Sequence, residues 1–372
     1  MARMSVREVI LETIHQFRGV SPGCNGPRLV ADNGLRNAAH WTIAFAWAYQ
    51  QTRAVAFKEQ MIRLLEKITA PEMRPHGYSF LHIPNYHSPG NGLIGQAWVL
   101  EALLIASSVL EDHRYADLAH QVFSMHPFCG EKGLWHVRKP DGNIDSVHTS
   151  LNQQIWFAAM GAMLVQKGYS EHREIIQKFL DQLESHMHIL SGGLLGMKIA
   201  GAHRDAYLDK LITLIRRLRR RLRGKSVRPS FSYRETSVGY HAFTLYGLAL
   251  LKEAYPQHAF WRSRKLLLSC EWGFSENHKR ALKRNRFAMG YNPSGFEIPF
   301  AMQILAELDD DALSEHSEWW LSEQIRRHYN PATGQFDRNT VDAATLTARV
   351  YEATRLKPVL LDMRIHSSLL EK

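Results

Sequence analysis

The chain has 372 residues, 45% of them hydrophobic and 22% charged, with a formal net charge of +10 and a pI near 9.5. That composition excludes a disordered chain, and the scattered Cys24, Cys129 and Cys270 exclude a CxxC or Cys/His zinc cluster. The sparse, odd cysteine count predicts a reducing, cytoplasmic setting, and the positive balance predicts an anionic partner.

The opening MARMSVREVILETIHQF reads as an amphipathic helix over about 5–18, with Glu8 and Glu12 inside it. A signal peptide would carry an uninterrupted apolar stretch, and no run of 18 apolar residues predicts a membrane span. Helical spacing then recurs over about 36–52, 55–68, 94–110, 113–125, 149–167, 170–188, 204–223, 237–254, 259–271, 296–308, 314–328 and 341–355. The helices pair through short turns, as at Leu110-Glu111-Asp112 and Lys167-Gly168-Tyr169. Between pairs the connections are long and rich in Gly, Pro, Asn and aromatic residues. HIPNYHSPGNGLIG, RPSFSYRETSVGYH and NPATGQFDRNTVD are examples.

Short turns at one end and long polar loops at the other describe an asymmetric toroid. Twelve or thirteen such helices predict an all-α (α/α)6 barrel as a single domain over 1–372, with a helical-repeat solenoid as the alternative. The long-loop end is the candidate active face, because binding residues favour loops on a rigid scaffold.

Residues 208–222 place Leu208, Leu211, Ile212, Ile215, Leu218 and Leu222 on one face of the predicted helix 204–223. Arg216, Arg217, Arg219, Arg220, Arg221 and Arg223 cover the rest. A basic amphipathic helix of this kind can lie on an anionic membrane surface or grip a polyanion, which allows a protein peripheral to the membrane. Nucleic acid is the weaker expectation, because no nucleic-acid motif accompanies the charge.

The stretch 90–128, a glycine-led helix, a short turn and a second helix, resembles the repeat of six-hairpin glycosidase-type proteins. Asp145, Asn152 and the Trp156-Phe157-Ala158-Ala159 helix resemble the corresponding stretch of unsaturated glucuronyl hydrolases. SYRETSVGYHAFTLYGLALL and YNPSGFEIPFAM resemble them more loosely. The same pattern is similar to N-acylglucosamine and uronate epimerases and to toroidal polysaccharide lyases. In the glucuronyl hydrolases a catalytic aspartate precedes the asparagine that matches Asn152. Here that place is His148, and the nearest carboxylate is Asp145. Lanthionine cyclases share the glycine-led hairpins but need a Cys/Cys/His zinc site that this chain lacks.

The resemblance implies an enzyme acting on an acidic or amino-sugar-containing glycan. Glycoside hydrolysis needs two carboxyl groups, and Asp145 with Glu235 is the candidate pair. Arg234 would keep Glu235 ionised, and Glu297 is a further loop carboxylate. Epimerisation or elimination of a uronate instead needs a base beside the carbon that carries the carboxylate, and cations or amides to neutralise that carboxylate. His148, Tyr240 and His241 are the candidate bases. His87, Asn91, Asn152, Gln153, Tyr233, Arg234, Tyr291, Asn292 and Glu297 are candidate binding groups, and Trp135 is the candidate stacking platform for a sugar ring. Trp98 and Trp156 read as core. No cofactor or metal is expected. A non-catalytic glycan-binding component of polysaccharide assembly is the third expectation.

Overall fold

The computed structural model describes residues 3–84, 86–202 and 231–366. The predicted basic helix at 204–223 lies outside these residues. Within them, six inner elements are buried almost all round: α2 (Leu35–Thr52), α4 (Gly92–Leu110), α6 (Leu151–Gln166), α8 (Tyr233–Ala254), α11 (Ser294–Leu305) and α13 (Ala343–Ala348). The last continues as a 3-10 turn over Arg349–Arg355. Each packs on the next, and the 3-10 turn returns to α2, so the ring is closed. A helix that is apolar on all sides is a core helix, and α4 illustrates this. By length and composition α4 could cross a bilayer, yet 78% of that window is buried inside the toroid.

The outer layer consists of α3 (Val55–Thr69), α5 (His113–Ser124), α7 (Arg173–His186), α9 (Arg264–Phe274) and α12 (Asp310–His328). These helices bury a single stripe against their inner partners, as the amphipathic spacing requires. The sixth outer position belongs to the start of the chain. There α1 (Val6–His15) packs on α2 and the 3-10 turn. Strand β1 (Arg3–Ser5) pairs antiparallel with β5 (Arg364–His366), which ties the two ends of the described chain together. A short α14 (Pro358–Leu361) lies between them.

Two departures from the sequence expectation concern the loops. The polar stretch after α5 forms a three-stranded antiparallel sheet of β2 (Phe128–Cys129), β3 (Leu134–Arg138) and β4 (Ile144–Val147). A seven-residue α10 (Glu276–Leu282), capped by Ser275, lies within the expected loop after α9.

The inner helices run in the same direction, because each is separated from the next by an outer return helix. Their N-termini therefore gather at the long-loop end. Under that end lies a buried ionic cluster. Arg349 Nη2 donates to Glu297 (2.7 Å) and Glu352 (2.6 Å), and Nη1 donates to the Tyr291 carbonyl (3.0 Å). Burial raises both carboxyls, Glu297 well above its usual range and Glu352 to about 7, and each carboxyl is raised further by an acidic neighbour. One guanidinium then faces a pair that retains a proton near neutrality. Replacing Arg349 by Met strips the cation from two buried carboxyls and should cost about 3–5 kcal/mol of stability in urea titration.

Several histidines are buried neutral. Burial lowers His82, His126, His278 and His328 from 6.5 to about 4. The unfolded chain binds these protons below pH 6.5, whereas the folded chain resists them until about pH 4. Their stabilisation is therefore present above pH 6.5 and is lost as pH falls towards 4. Glu297 and Glu352, both raised, act in the opposite direction and lose their contribution as pH rises, but the lowered histidines outnumber them. Thermal melts should show a clear fall in Tm between pH 7 and pH 5.

Candidate active site: an axial cavity lined by cations, phenols and imidazoles

A cavity of about 340 Å³ opens at the long-loop end of the ring. Its wall is assembled from the openings of the inner helices. Asn91 and Gly92 come from α4, Asn152 and Gln153 from α6, Tyr240 and Phe243 from α8, and Tyr291 and Asn292 stand just before α11. His87 and His148 belong to the loops that enter α4 and α6. Sequence reasoning thus located eight of its candidates in this cavity: His87, Asn91, His148, Asn152, Gln153, Tyr240, Tyr291 and Asn292.

Several of these groups are held from behind. Tyr291 is buried, and its hydroxyl donates to Asn25 Oδ1 (2.7 Å). Burial and the neighbouring Tyr240 push its phenol pKa up. Asn292 Nδ2 donates to the Gly239 carbonyl (2.8 Å), and Gln153 Oε1 accepts from the Ile94 amide (3.3 Å). Asn152 Oδ1 is buried with no hydrogen-bond partner among the described residues. Asn91 adopts φ +54°, and Gly92 follows at φ +65°. A Cβ on Gly92 would meet Gln153 Oε1 at 2.3 Å, so the glycine lets α4 start against the cavity wall.

His148 is lowered to about 4, mainly by burial and then by the Lys198 ammonium beside it. Its ring is therefore neutral at physiological pH. Nδ1 accepts from the Ser150 amide (3.3 Å), which leaves the ring proton on Nε2. In that tautomer His148 is a hydrogen-bond donor towards the cavity.

The sequence reading missed two cations of the wall, Arg28 and Lys198. Arg28 stands beside Tyr240, Tyr291 and Tyr86, and these phenols, Tyr240 foremost, raise its pKa and keep it charged. Its turn is pinned from below. Asp342 accepts the amides of Cys24 (3.1 Å) and Gly26 (2.9 Å), and Arg36 bridges Asp32 (2.6 Å) and Thr345 (2.7 Å). The segment CNGPRLVADNG has the same Gly/Pro/Asn character as the other long loops and leads into an inner helix. That is the signal that would have included it.

The remaining candidates lie elsewhere. Asp145 is on β4, exposed and paired with Lys139 (2.7 Å). Glu235 is in the first turn of α8, where its amide donates to the Ser232 cap (3.0 Å) and its carboxylate pairs with Arg286 (2.9 Å). Arg234 is exposed beside it and does not hold Glu235. Tyr233 directs its hydroxyl to the Lys198 amide (3.5 Å), behind the wall. His241 is one residue from Tyr240 and so projects about 100° away around the helix. It is buried between the Leu195 amide (3.2 Å) and the Ser269 carbonyl (3.0 Å). Glu297 is the buried partner of Arg349. Trp135 is completely buried among Phe123, Phe128, Phe157 and Phe179, which removes its face from any sugar. Trp156 and Trp98 are core as expected, and Trp98 also borders the cavity.

Among the described residues the cavity lining contains no carboxylate. One group of potential metal ligands, His120, Glu171 and His172, lies in the outer layer away from the cavity. The cavity itself offers cations, phenols, amides and a neutral imidazole. Such a set can bind a carboxylate and move a proton.

No family model matches the chain. The fold is similar to that of cellobiose 2-epimerase from Spirochaeta thermophila, with a TM-score of 0.62 at 12% identity over 93% of this chain and 92% of that one. It is also similar to an unsaturated glucuronyl hydrolase specific for heparin, with a TM-score of 0.59 at 9% identity over 94% and 95%. An α-1,6-mannanase of Salegentibacter sp. HEL1_6 matches with a TM-score of 0.54 at 14% identity over 94% and 97%. These likenesses establish the six-hairpin (α/α)6 barrel. In sequence, the chain is 34% identical over 351 residues to archaeal glycosylation protein Q of Haloferax volcanii, spanning 90% of this chain and 91% of that protein. The protein therefore belongs to the family of archaeal glycosylation protein Q.

Proposed function

We propose that the protein is a glycan-processing enzyme that moves a proton on an acidic sugar, as a uronate epimerase or a lyase does. The observation that carries this reading is the lining of the axial cavity. Arg28 and Lys198 stand beside phenols and an imidazole, and no carboxylate lines the cavity among the described residues. A two-carboxylate hydrolysis would need acids that the wall does not present. The name of the related glycosylation protein and the glycan-active proteins that share the fold support a glycan as substrate.

In this reading the sugar carboxylate enters between Arg28 and Lys198. The parallel inner helices add the positive ends of their dipoles at the same mouth. Neutralising the carboxylate acidifies the adjacent C–H bond, because the carbanion formed there delocalises onto the carboxylate oxygens. Tyr240 is the base. Acting as the phenolate, its own proton having passed to solvent before the substrate enters, it takes that proton on the oxygen that faces the Arg28 charge and becomes the phenol. His148 Nε2–H is the donor on the wall. In epimerisation a proton returns to the same carbon from the opposite face. In elimination the electron pair instead forms a carbon–carbon double bond, the neighbouring glycosidic C–O bond breaks, and His148 protonates the departing oxygen. Trp98 and Phe243 supply apolar surface to the ring.

Proton NMR of the purified protein with acidic oligosaccharides in heavy water tests the reading. Deuterium should enter at the carbon beside the carboxylate, with or without a new vinyl signal. New reducing ends without deuterium would replace the proposal with hydrolysis. Tyr240→Phe removes one oxygen from a cavity side chain and should lower kcat by about 100- to 10,000-fold with the fold intact by circular dichroism.

The same assay distinguishes the two carboxylates named from the sequence. Asp145→Asn and Glu235→Gln each break a partly exposed ion pair outside the cavity, so each should change stability by less than about 1 kcal/mol. Turnover in both variants should match the parent protein.

A further inference from the structure

A second, larger cleft of about 900 Å³ lies beside the axial cavity. One partition separates the two. Pro27 and Leu29 face the cleft while Arg28 between them faces the cavity. Likewise Ala288, Met289 and Gly290 face the cleft, and the next two residues, Tyr291 and Asn292, face the cavity. Gly290 packs closely on the cleft side, where an added Cβ would meet the Asn339 carbonyl at 2.8 Å.

The cleft is cationic. Lys283, Arg286, Arg326 and Arg327 line it, and no acidic side chain does among the described residues. Arg286 is paired with Glu235, and Arg326 and Arg327 share Glu323. Lys283 is exposed and makes no ion pair among the described residues. Four permanent cations against two carboxylates leave an excess of two positive charges. His328 lines the cleft as well, and its Nδ1 is tied to the Arg338 carbonyl (2.9 Å). At the lip stand Leu29 and Val341, 61% and 63% exposed. Leu29 is held outward at φ +51°, in the left-handed region that side chains avoid.

We propose that this cleft binds a diphosphate at the end of the glycan, so that the natural substrate is a glycosyl diphosphate ester and not a free saccharide. The proposal rests on the reading that the axial cavity holds the sugar. A diphosphate diester carries two negative charges, which matches the excess of the cleft. Guanidinium groups suit phosphate oxygens through paired N–H donors. A ligand whose sugar fills the cavity has to cross only the Arg28 partition to reach the cleft. The exposed leucine and valine then meet whatever the second phosphate carries. That group is apolar in a lipid carrier and aromatic in a nucleoside.

The test is calorimetric titration of the whole protein with inorganic pyrophosphate, a free uronate oligosaccharide, a nucleoside diphosphate uronate, and bilayer vesicles containing a polyprenyl diphosphate saccharide. Pyrophosphate should bind, and Lys283→Gln should weaken it about fivefold while Lys283→Arg restores it. The free oligosaccharide should bind the Gln variant as it binds the parent. Affinity for at least one diphosphate ester should exceed that for the free oligosaccharide about tenfold or more and fall with added salt. Val341→Ser should weaken the ester that the protein uses, so loss confined to the vesicles identifies a lipid carrier and loss confined to the soluble ester identifies a nucleotide. Absence of pyrophosphate binding, an unaffected Lys283→Gln variant, or equal affinity for esterified and free saccharide would overturn the proposal. Failure of the proton-transfer reading would show separately, as diphosphate binding that is intact without deuterium exchange.

Discussion

Arg349 lies at the junction of three structural demands. It belongs to the 3-10 turn that ends the sixth inner element, and it holds Glu297 of the fifth, so it helps close the ring from inside. Through the Tyr291 carbonyl and Asn292 Oδ1 it also holds the loop that forms the cavity floor. Its guanidinium lies 5.1 Å from the centre of the Phe243 ring, another wall residue. A buried charge is tolerated when its geometry is satisfied, and the partners that satisfy this one are the elements that shape the site. The second glutamate, Glu352, adds a carboxyl for which no further cation is supplied within this trio, and retention of a proton resolves the excess.

The same logic recurs one step along the ring. Arg36 on α2 is buried and satisfied by Asp32 and Thr345, with Asp342 at 3.7 Å. Asp342 in turn grips the amides of the turn that carries Arg28. The cation that faces the cavity is thus presented by a turn clamped through the Asp342 carboxylate. Closure of the ring and placement of Arg28 are one event. A toroid assembled from local hairpins gains its site only when its first and last elements meet.

Most of the architecture was legible because the connections differ in kind: short turns join the two helices of a pair, and long loops rich in Gly, Pro and Asn join one pair to the next. Element boundaries blurred where capping was overlooked. The start of α8 was placed at 237, although Ser232 and Glu235 form a serine cap with a glutamate three residues on. Recognising that cap would also have assigned Glu235 its structural role. The β2–β4 sheet escaped because its strands are short and interrupted by Gly and Pro. Candidate residues on loops entering inner helices were located well, since those loops converge by topology. Which face of a helix a residue occupies was harder. Tyr240 and His241 are adjacent and chemically similar candidates, and only the ring geometry turns one inward and the other into the layer between α8 and α9. Arg28 and Lys198 were missed because nothing local marks them. They become neighbours of His148 and Tyr240 through contacts that close across the toroid.

The distribution of charge in the mouth follows from this construction. Acidic groups of the long loops are drawn into clamps: Asp342 below the Arg28 turn, Glu297 below the floor, Glu235 on Arg286 and Asp145 on Lys139. Each carboxylate that stabilises a loop is one fewer that faces the cavity. Among the described residues, the cations on the wall stand with phenols, amides, hydroxyls and imidazoles. Among the described residues the cavity lining presents no anion to balance them. The clamps that hold the loops in place therefore also set the charge of the cavity wall.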